Sequence, residues 1–200
     1  MGGTDGIRYL LGRVRYHVKF RRAYAREFAR LPDRVMFDEA IIPSLASDAE
    51  IVEVLDVGCQ WYNLHHARHF RGKRYHTIDI EPEQSRYGAS RHVVGSFLDA
   101  RDYYGRGQFD LVLINGVFGW GIDGVEQLEE AMGVLGYLVK GEGVVVVGWN
   151  QLGERVPVVP VGELFGEGWE GVDLIGAGSE VLANEDTGHT FSFFRRGGEA

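Results

Sequence analysis

The sequence contains very little cysteine: Cys59 is the only one among 200 residues. A single cysteine excludes an intramolecular disulfide framework and fits a reducing compartment. Long apolar runs are also missing, since no stretch approaches the roughly 20 residues that a membrane-spanning helix needs. Arg8, Arg13 and Arg15 interrupt the apolar positions near the amino terminus, so this region does not resemble a secretory signal. These absences predict a cytoplasmic protein without a membrane span.

Acidic residues outnumber basic ones, but the two kinds are unevenly distributed. The formal net charge is −8, whereas residues 1–35 hold nine Lys or Arg and three acidic residues, so they carry +6 and the remainder −14. An acidic body disfavours a broad nucleic-acid footprint, because phosphate binding needs concentrated cations. The basic arm, residues 1–35, could contact an anion, a membrane surface or the acidic body. We expect the last of these, and nucleic acid is not an expected partner.

The amino-terminal part is predicted to be helical. Apolar residues recur at three- and four-residue steps through residues 7–31, and another short helix is predicted over residues 34–46. Such a segment is too short to form a core of its own. We therefore expect residues 1–46 to be a helical segment that packs on a domain spanning residues 47–200.

From residue 51 onward, strands alternate with helices. Helices are predicted over residues 61–70 and 125–139. Strands are predicted at 51–57, 74–80, 91–96, 109–115, 144–149, 172–175 and 190–195. This alternation predicts an α/β fold with a doubly wound, mostly parallel, seven-stranded sheet and helices on both faces. Right-handed crossovers place the carboxyl ends of the parallel strands along one edge, where ligands bind.

The ends of the first two predicted strands have the layout of an adenosine site. The first strand reaches Asp56 and then Gly58, where the backbone can approach a ligand because no side chain stands in the way. The second strand ends at Asp79, whose carboxylate can accept hydrogen bonds from both hydroxyls of a ribose. Asp79 could instead be a helix cap, but its place before Glu81-Pro82 favours a binding role.

Over roughly residues 50–196, the chain resembles the class I S-adenosylmethionine-dependent methyltransferases. Their first motif, acid-x-Gly-x-Gly-x-Gly, falls on Asp56, Gly58, Gln60 and Tyr62, so only the acid and the first glycine are present. FDLVLIN (109–115) with the following GVFGW resembles the family's fourth-strand block, and LVKGEGVVVV (138–147) its turn into strand five. The resemblance implies a Rossmann-like fold, S-adenosylmethionine as the cofactor and methyltransferase activity.

The resemblance also assigns residues to the cofactor. Ser96 occupies the place where the family typically has an acid that binds the adenine amino group, and Asp99 lies three residues further on. Phe97 could flank the adenine. The implied cofactor-binding residues are Asp56, Gly58, Cys59, Gln60, Asp79, Ile80, Ser96, Phe97 and Asn115.

The acceptor pocket is expected at the carboxyl edge of the sheet. Methyl transfer from a sulfonium mainly requires that the acceptor is held in line and shielded from water. The predicted pocket residues are Tyr62, Asn63, Phe118, Trp120, Trp149 and Asn150. His65 and His66 are candidates for a general base, which is needed only if the acceptor must lose a proton. A metal site on His65, His66 and His69 is not expected, because no cysteine or carboxylate cluster lies nearby in the sequence.

These observations predict a methyltransferase that acts on a small-molecule acceptor, because no inserted lid or separate recognition domain is evident. One alternative is a methyltransferase-like binding or scaffold protein whose cofactor loop has degraded, since Gln60 and Tyr62 replace glycines. Another is an RNA methyltransferase that uses the basic arm. The sequence leaves a homo-oligomer open and does not identify the acceptor.

Overall fold

The computed structural model describes residues 27–198, so the helices predicted before residue 27 lie outside the described residues. Within the described range, eight strands form one sheet. They are β1 (Glu53–Val57), β2 (Arg74–Asp79), β3 (Arg91–Val94), β4 (Phe109–Asn115), β5 (Val139–Asn150), β6 (Trp169–Gly171), β7 (Glu180–Asn184) and β8 (His189–Arg196). No helix in this part of the chain is long and apolar enough to cross a membrane.

The strand order is β3-β2-β1-β4-β5-β8-β6, and β7 also pairs with β8. Strands β1 to β5 are parallel, and β8 runs antiparallel to β5. The predicted doubly wound, mostly parallel sheet is therefore confirmed. Because β8 is antiparallel, its first residue, His189, lies opposite Asn150 at the carboxyl end of β5.

The carboxyl-terminal strands differ from the prediction in one respect. Residues 172–175 form a loop, so the strand predicted there is wrong. The carboxylate of Asp173 accepts hydrogen bonds from the backbone N–H groups of Ile175, Gly176 and Ala177, which removes them from any ladder. Strands β6 and β7 lie on either side of this loop and share one edge of β8, so the sheet has eight strands in seven positions.

Helices cover both faces of the sheet. On one face lie α4 (Val125–Leu138), α5 (Val161–Leu164) and the 3-10 helix Phe97–Asp102. The other face is covered by the amino-terminal helix, residues 32–47, which consists of α1 (Pro32–Met36), a π-helical turn (Phe37–Ile41) and α2 (Ile42–Ser47). The short α3 (His66–His69) packs beside α2, and a further 3-10 helix, Pro82–Tyr87, follows β2.

The amino-terminal helix is attached to the sheet by buried apolar side chains. The ring of Phe37 stacks on that of Phe191 in β8, with centroids 5.1 Å apart and an interplanar angle of 4°. Ile41, Ile42 and Leu45 extend this buried contact along the helix. The helix predicted over residues 34–46 is confirmed, and it packs on the sheet as expected. The division of the chain into a segment 1–46 and a domain 47–200 stays a prediction.

Removing the Phe37 ring should destabilise the whole protein. Phe37→Ala would leave a cavity between helix and sheet and should cost about 3–5 kcal/mol of unfolding free energy, measured by urea denaturation. The control is Val158→Ala in an exposed loop position, which should change stability by no more than about 0.5 kcal/mol. Equal effects from the two variants would show that the helix does not contribute to the core.

Candidate cofactor and acceptor site

The turn after β1 is built around Gly58. Its backbone has φ = +86°, a conformation that side-chain-bearing residues rarely adopt. Its N–H donates to the carbonyl of Ile78 at 2.9 Å, which holds the turn against the end of β2. A glycine is therefore required here by the backbone itself.

Asp79 connects the turns that follow β1 and β2. Its Oδ2 accepts a hydrogen bond from the N–H of Cys59 at 2.5 Å, and its Oδ1 accepts one from the N–H of Glu81 at 2.8 Å. The backbone carbonyl of Asp79 accepts from the N–H of Gly95 after β3, at 2.9 Å. One residue thus holds the ends of three neighbouring strands in a fixed relation at the carboxyl edge of the sheet.

Asp56 lies on the neighbouring strand but points to the face covered by the amino-terminal helix. Its Oδ2 accepts a hydrogen bond from the hydroxyl of Tyr75 at 2.6 Å and lies 3.3 Å from Nδ1 of His66. The Asp56 side chain is almost completely buried. Asp56 was predicted to bind the cofactor, but its side chain makes its hydrogen bonds inside the protein, to Tyr75 and His66.

Both candidate bases, His65 and His66, contact Asp38 of the amino-terminal helix. Nε2 of His66 lies 2.9 Å from Oδ1 of Asp38, and Nε2 of His65 lies 3.1 Å from Oδ2. Burial alone would lower the pKa of His66, but hydrogen bonds and charge from Asp38 and Asp56 outweigh it and raise that pKa to about 9. Both ring nitrogens of His66 thus face carboxylates.

The residues after Gly58 form successive turns before the four-residue α3 begins. The helix predicted over residues 61–70 is therefore much shorter than expected. Asn63 closes the turn, because its Nδ2 donates to the carbonyl of Gly58 at 3.3 Å. Tyr62 packs against the amino-terminal side: its ring lies 4.7 Å from that of Phe28, and the Arg34 guanidinium lies 4.3 Å from its centroid. Gln60, next to Cys59 in the chain, is half-buried.

The predicted adenine side contains both exposed and buried groups. Ile80, next to Asp79, is an exposed apolar side chain with 65% of its surface accessible. Ser96 caps the following 3-10 helix, since its hydroxyl accepts a hydrogen bond from the N–H of Leu98 at 3.1 Å. Phe97 is buried in the core beneath. Of the three residues predicted for this side, Ile80 is exposed, Ser96 is half-buried and Phe97 is buried.

Three polar side chains converge toward the ends of β4, β5 and β8. Within residues 27–198, both polar atoms of Asn115 and Nε2 of His189 are buried without a hydrogen-bond partner. Nδ1 of His189 donates to Oδ1 of Asn150 at 2.6 Å. Burial of the imidazole lowers the pKa of His189 well below its usual range, so the ring is neutral near pH 7. Sequence reasoning missed His189, because only the antiparallel pairing of β8 with β5 places it opposite Asn150.

The aromatic residues predicted as pocket walls differ in their exposure to solvent. Phe118 and Trp149 are buried in the core on the α4 face, where Nε1 of Trp149 donates to the Ser192 hydroxyl at 3.0 Å. Trp120 is exposed, and the Arg155 guanidinium lies 4.6 Å from its ring.

Solved structures with a similar fold include several methyltransferases. N-methyltransferase NodS from Bradyrhizobium japonicum WM9, in complex with S-adenosyl-L-homocysteine, aligns with a TM-score of 0.65 and 17% identity over 85% of this chain and 90% of that chain. Burkholderia thailandensis 1,6-didemethyltoxoflavin-N1-methyltransferase, with 1,6-didemethyltoxoflavin and S-adenosylhomocysteine bound, aligns with a TM-score of 0.55 and 15% identity over 90% of each chain. A TehB-like S-adenosylmethionine-dependent methyltransferase from Corynebacterium glutamicum aligns with a TM-score of 0.55 and 16% identity over 88% of this chain and 99% of that chain.

No protein-family model and no curated protein sequence matches the chain. At these low identities, the structural similarity concerns the fold. The chain therefore has the Rossmann-like fold of S-adenosylmethionine-dependent methyltransferases, which confirms the predicted fold class.

The Cys59 thiol should be unreactive in the native protein. Its burial, reinforced by the negative charges of Asp56 and Asp79, raises the pKa of Cys59 to about 12. At pH 8 we expect labelling by a disulfide reagent to be at least ~100-fold slower than in urea-unfolded protein. A Cys59→Ser chain carrying Ser90→Cys at an exposed position is the control and should react rapidly. Comparable native and unfolded rates for Cys59 would contradict the buried position of the turn.

Proposed function

We propose that the protein binds S-adenosylmethionine at the carboxyl edge of its sheet and transfers the methyl group to a small-molecule acceptor. The observation that supports this most strongly is the hydrogen-bonded junction of the Gly58 turn with Asp79. The same fold carries S-adenosylhomocysteine in NodS and in 1,6-didemethyltoxoflavin-N1-methyltransferase. The lone cysteine fits a cytoplasmic reaction compartment.

The chemistry of Asp79 fits a ribose. An ionised carboxylate offers about four lone-pair positions, and the N–H groups of Cys59 and Glu81 use two of them. The two others can accept hydrogen bonds from a pair of ribose hydroxyls. We assign the backbone of Gly58, Cys59 and Gln60 to the rest of the nucleoside and methionine parts. Ile80, Ser96 and Phe97 are assigned to the adenine side, and Asn115 to the methyl end.

The cofactor supplies an activated methyl group on a sulfonium, so the protein's task is to position the acceptor and exclude water. Asn63, Asn115 and Asn150 offer amide donors and acceptors for orienting it. His189 is the proposed general base in place of His65 and His66, because its neutral ring has an unpartnered buried Nε2 within the described structure. Its Nδ1 is held by Asn150, which orients the ring.

The character of these residues favours a small acceptor. Asn115, Asn150 and His189 are uncharged near pH 7 and buried or half-buried, so they suit a compact polar group. A phosphate backbone would instead need concentrated positive charge, and the body after residue 35 is acidic. Tyr62 with Phe28 and Arg34 would form the outer boundary of the acceptor pocket on the amino-terminal side.

Cofactor binding can be tested by calorimetry with S-adenosylhomocysteine. Asp79→Asn should weaken binding at least ~10-fold, because a carboxylate that accepts from ribose hydroxyls becomes an amide. Asp110→Asn is a matched control: the Asp110 carboxylate also accepts two backbone hydrogen bonds, from Val52 and Glu53, but at the opposite edge of the sheet. This control should bind normally. If the unaltered protein bound no S-adenosylhomocysteine, the scaffold alternative would be favoured instead.

The acceptor class and the role of His189 can be tested with methyl-labelled S-adenosylmethionine. We expect label to enter a low-molecular-weight metabolite fraction and not purified RNA. His189→Gln should lower this transfer at least ~10-fold while changing S-adenosylhomocysteine affinity by less than about threefold, because the base acts only on the acceptor. His69→Gln, on the exposed side of α3, is the control and should retain activity. Labelling of RNA would support the RNA alternative and refute the proposed acceptor class.

A further inference from the structure

One carboxylate and two imidazoles, side chains of the kinds that ligate metals, form a cluster on the face opposite α4. Asp38 in the π-helical turn and the neighbouring His65 and His66 each offer one donor atom, and these atoms all lie within 4.8 Å of one another. In sequence, Asp38 is far from the histidines, which is why the chain alone indicated no carboxylate to complete a site. The docking of the amino-terminal helix brings it there.

The donor distances suit a shared ion. Oδ1 of Asp38 lies 2.9 Å from Nε2 of His66, and Oδ2 lies 3.1 Å from Nε2 of His65. Metal–ligand bonds to nitrogen and carboxylate oxygen are about 2.0–2.2 Å long, which separates neighbouring ligands in one coordination shell by roughly 3 Å. A small movement of the Asp38 carboxylate would therefore place all three donors around one ion.

The second ring nitrogen of His66 is also held as in metal sites. Nδ1 of His66 lies 3.3 Å from Oδ2 of Asp56, and the Tyr75 hydroxyl donates to the same oxygen at 2.6 Å. Histidines that bind metals generally donate their other N–H to a carboxylate or carbonyl, which fixes the ring and its tautomer. Asp56 therefore orients Nε2 of His66 toward Asp38, a feature that a pair of surface histidines would not need.

One side of the cluster is buried in the protein and the other side is open to solvent. The His66 side chain is only 1% exposed, whereas Asp38 is 24% and His65 38% exposed, so an ion could enter from solvent and keep a water ligand on that side. Two carboxylates, those of Asp38 and Asp56, contact the His66 ring. A divalent cation would balance both negative charges.

We propose that Asp38, His65 and His66 bind a divalent transition-metal ion such as Zn²⁺ at the junction of the amino-terminal helix and α3. Two imidazoles and one carboxylate favour such an ion over Mg²⁺ or Ca²⁺, which prefer all-oxygen sites. Each imidazole binds through a neutral Nε2, so binding releases the proton that Nε2 of His66 otherwise shares with Asp38. The ion would join the amino-terminal helix to the segment that follows the cofactor turn.

The test uses the full chain, freed of metal with a chelator and then titrated with Zn²⁺ against a chromophoric competitor. We expect one ion per chain, and Co²⁺ at the same site should show the visible absorption of a nitrogen- and oxygen-bound ion. Asp38→Asn and His65→Gln should each weaken binding at least ~10-fold. Both residues are partly exposed, so these variants should fold. Unchanged thermal unfolding in the absence of metal would verify this.

The matched control is His69→Gln, which removes an exposed histidine four residues from His65 and outside the cluster. It should bind Zn²⁺ as the unaltered protein does. The proposal would be overturned if no ion bound at about 100 μM metal, or if Asp38→Asn and His65→Gln bound as tightly as the control. In that case, the cluster would be only an ion-pair network. Because S-adenosylhomocysteine is absent from this experiment, its outcome is independent of the proposed cofactor site.

Discussion

The backbone N–H groups of Cys59 and Glu81 meet on the carboxylate of Asp79, and the arrangement of the ligand edge depends on this contact. Parallel pairing of β1 with β2 brings the two turns side by side, but pairing alone does not fix their conformations. The carboxylate does so, because it satisfies donors that would otherwise be left without a partner at the strand ends. The two turns are therefore held in a fixed relation by the protein's own hydrogen bonds.

A second polar network lies on the other face of the same strand. Asp56 faces Tyr75 and His66, and His66 faces Asp38, so β1 is connected through side chains to the amino-terminal helix. Asp56 sits two residues before Gly58. The position of the helix and the shape of the cofactor turn are thus mechanically coupled, with Asp56 in a supporting role. Tyr62 adds to this coupling through its contact with Arg34.

The parts of this structure that follow from local pattern could be predicted, and those that follow from tertiary contact could not. Apolar runs located β1 to β5, and their ends identified Gly58 and Asp79. The loop at residues 172–175 was not predicted, because the Asp173 carboxylate accepts hydrogen bonds from backbone N–H groups that a strand would donate to its neighbour. Packing of the amino-terminal helix on the sheet brings Asp38 to His65 and His66. Antiparallel pairing of β8 with β5 brings His189 to Asn150. Neither contact can be read from the spacing of these residues in the sequence.

The replacement of two motif glycines by Gln60 and Tyr62 does not strain the turn. Gly58 needs its positive φ, but within residues 27–198 only one non-glycine residue, Glu142, has a positive φ. The backbone at positions 60 and 62 therefore adopts conformations open to any residue. The added bulk of Tyr62 is accommodated against the Phe28 ring and the Arg34 guanidinium. At Tyr62, the departure from the methyltransferase motif is thus accommodated by the amino-terminal segment, so the bulk at this position is not by itself a sign of a degraded loop.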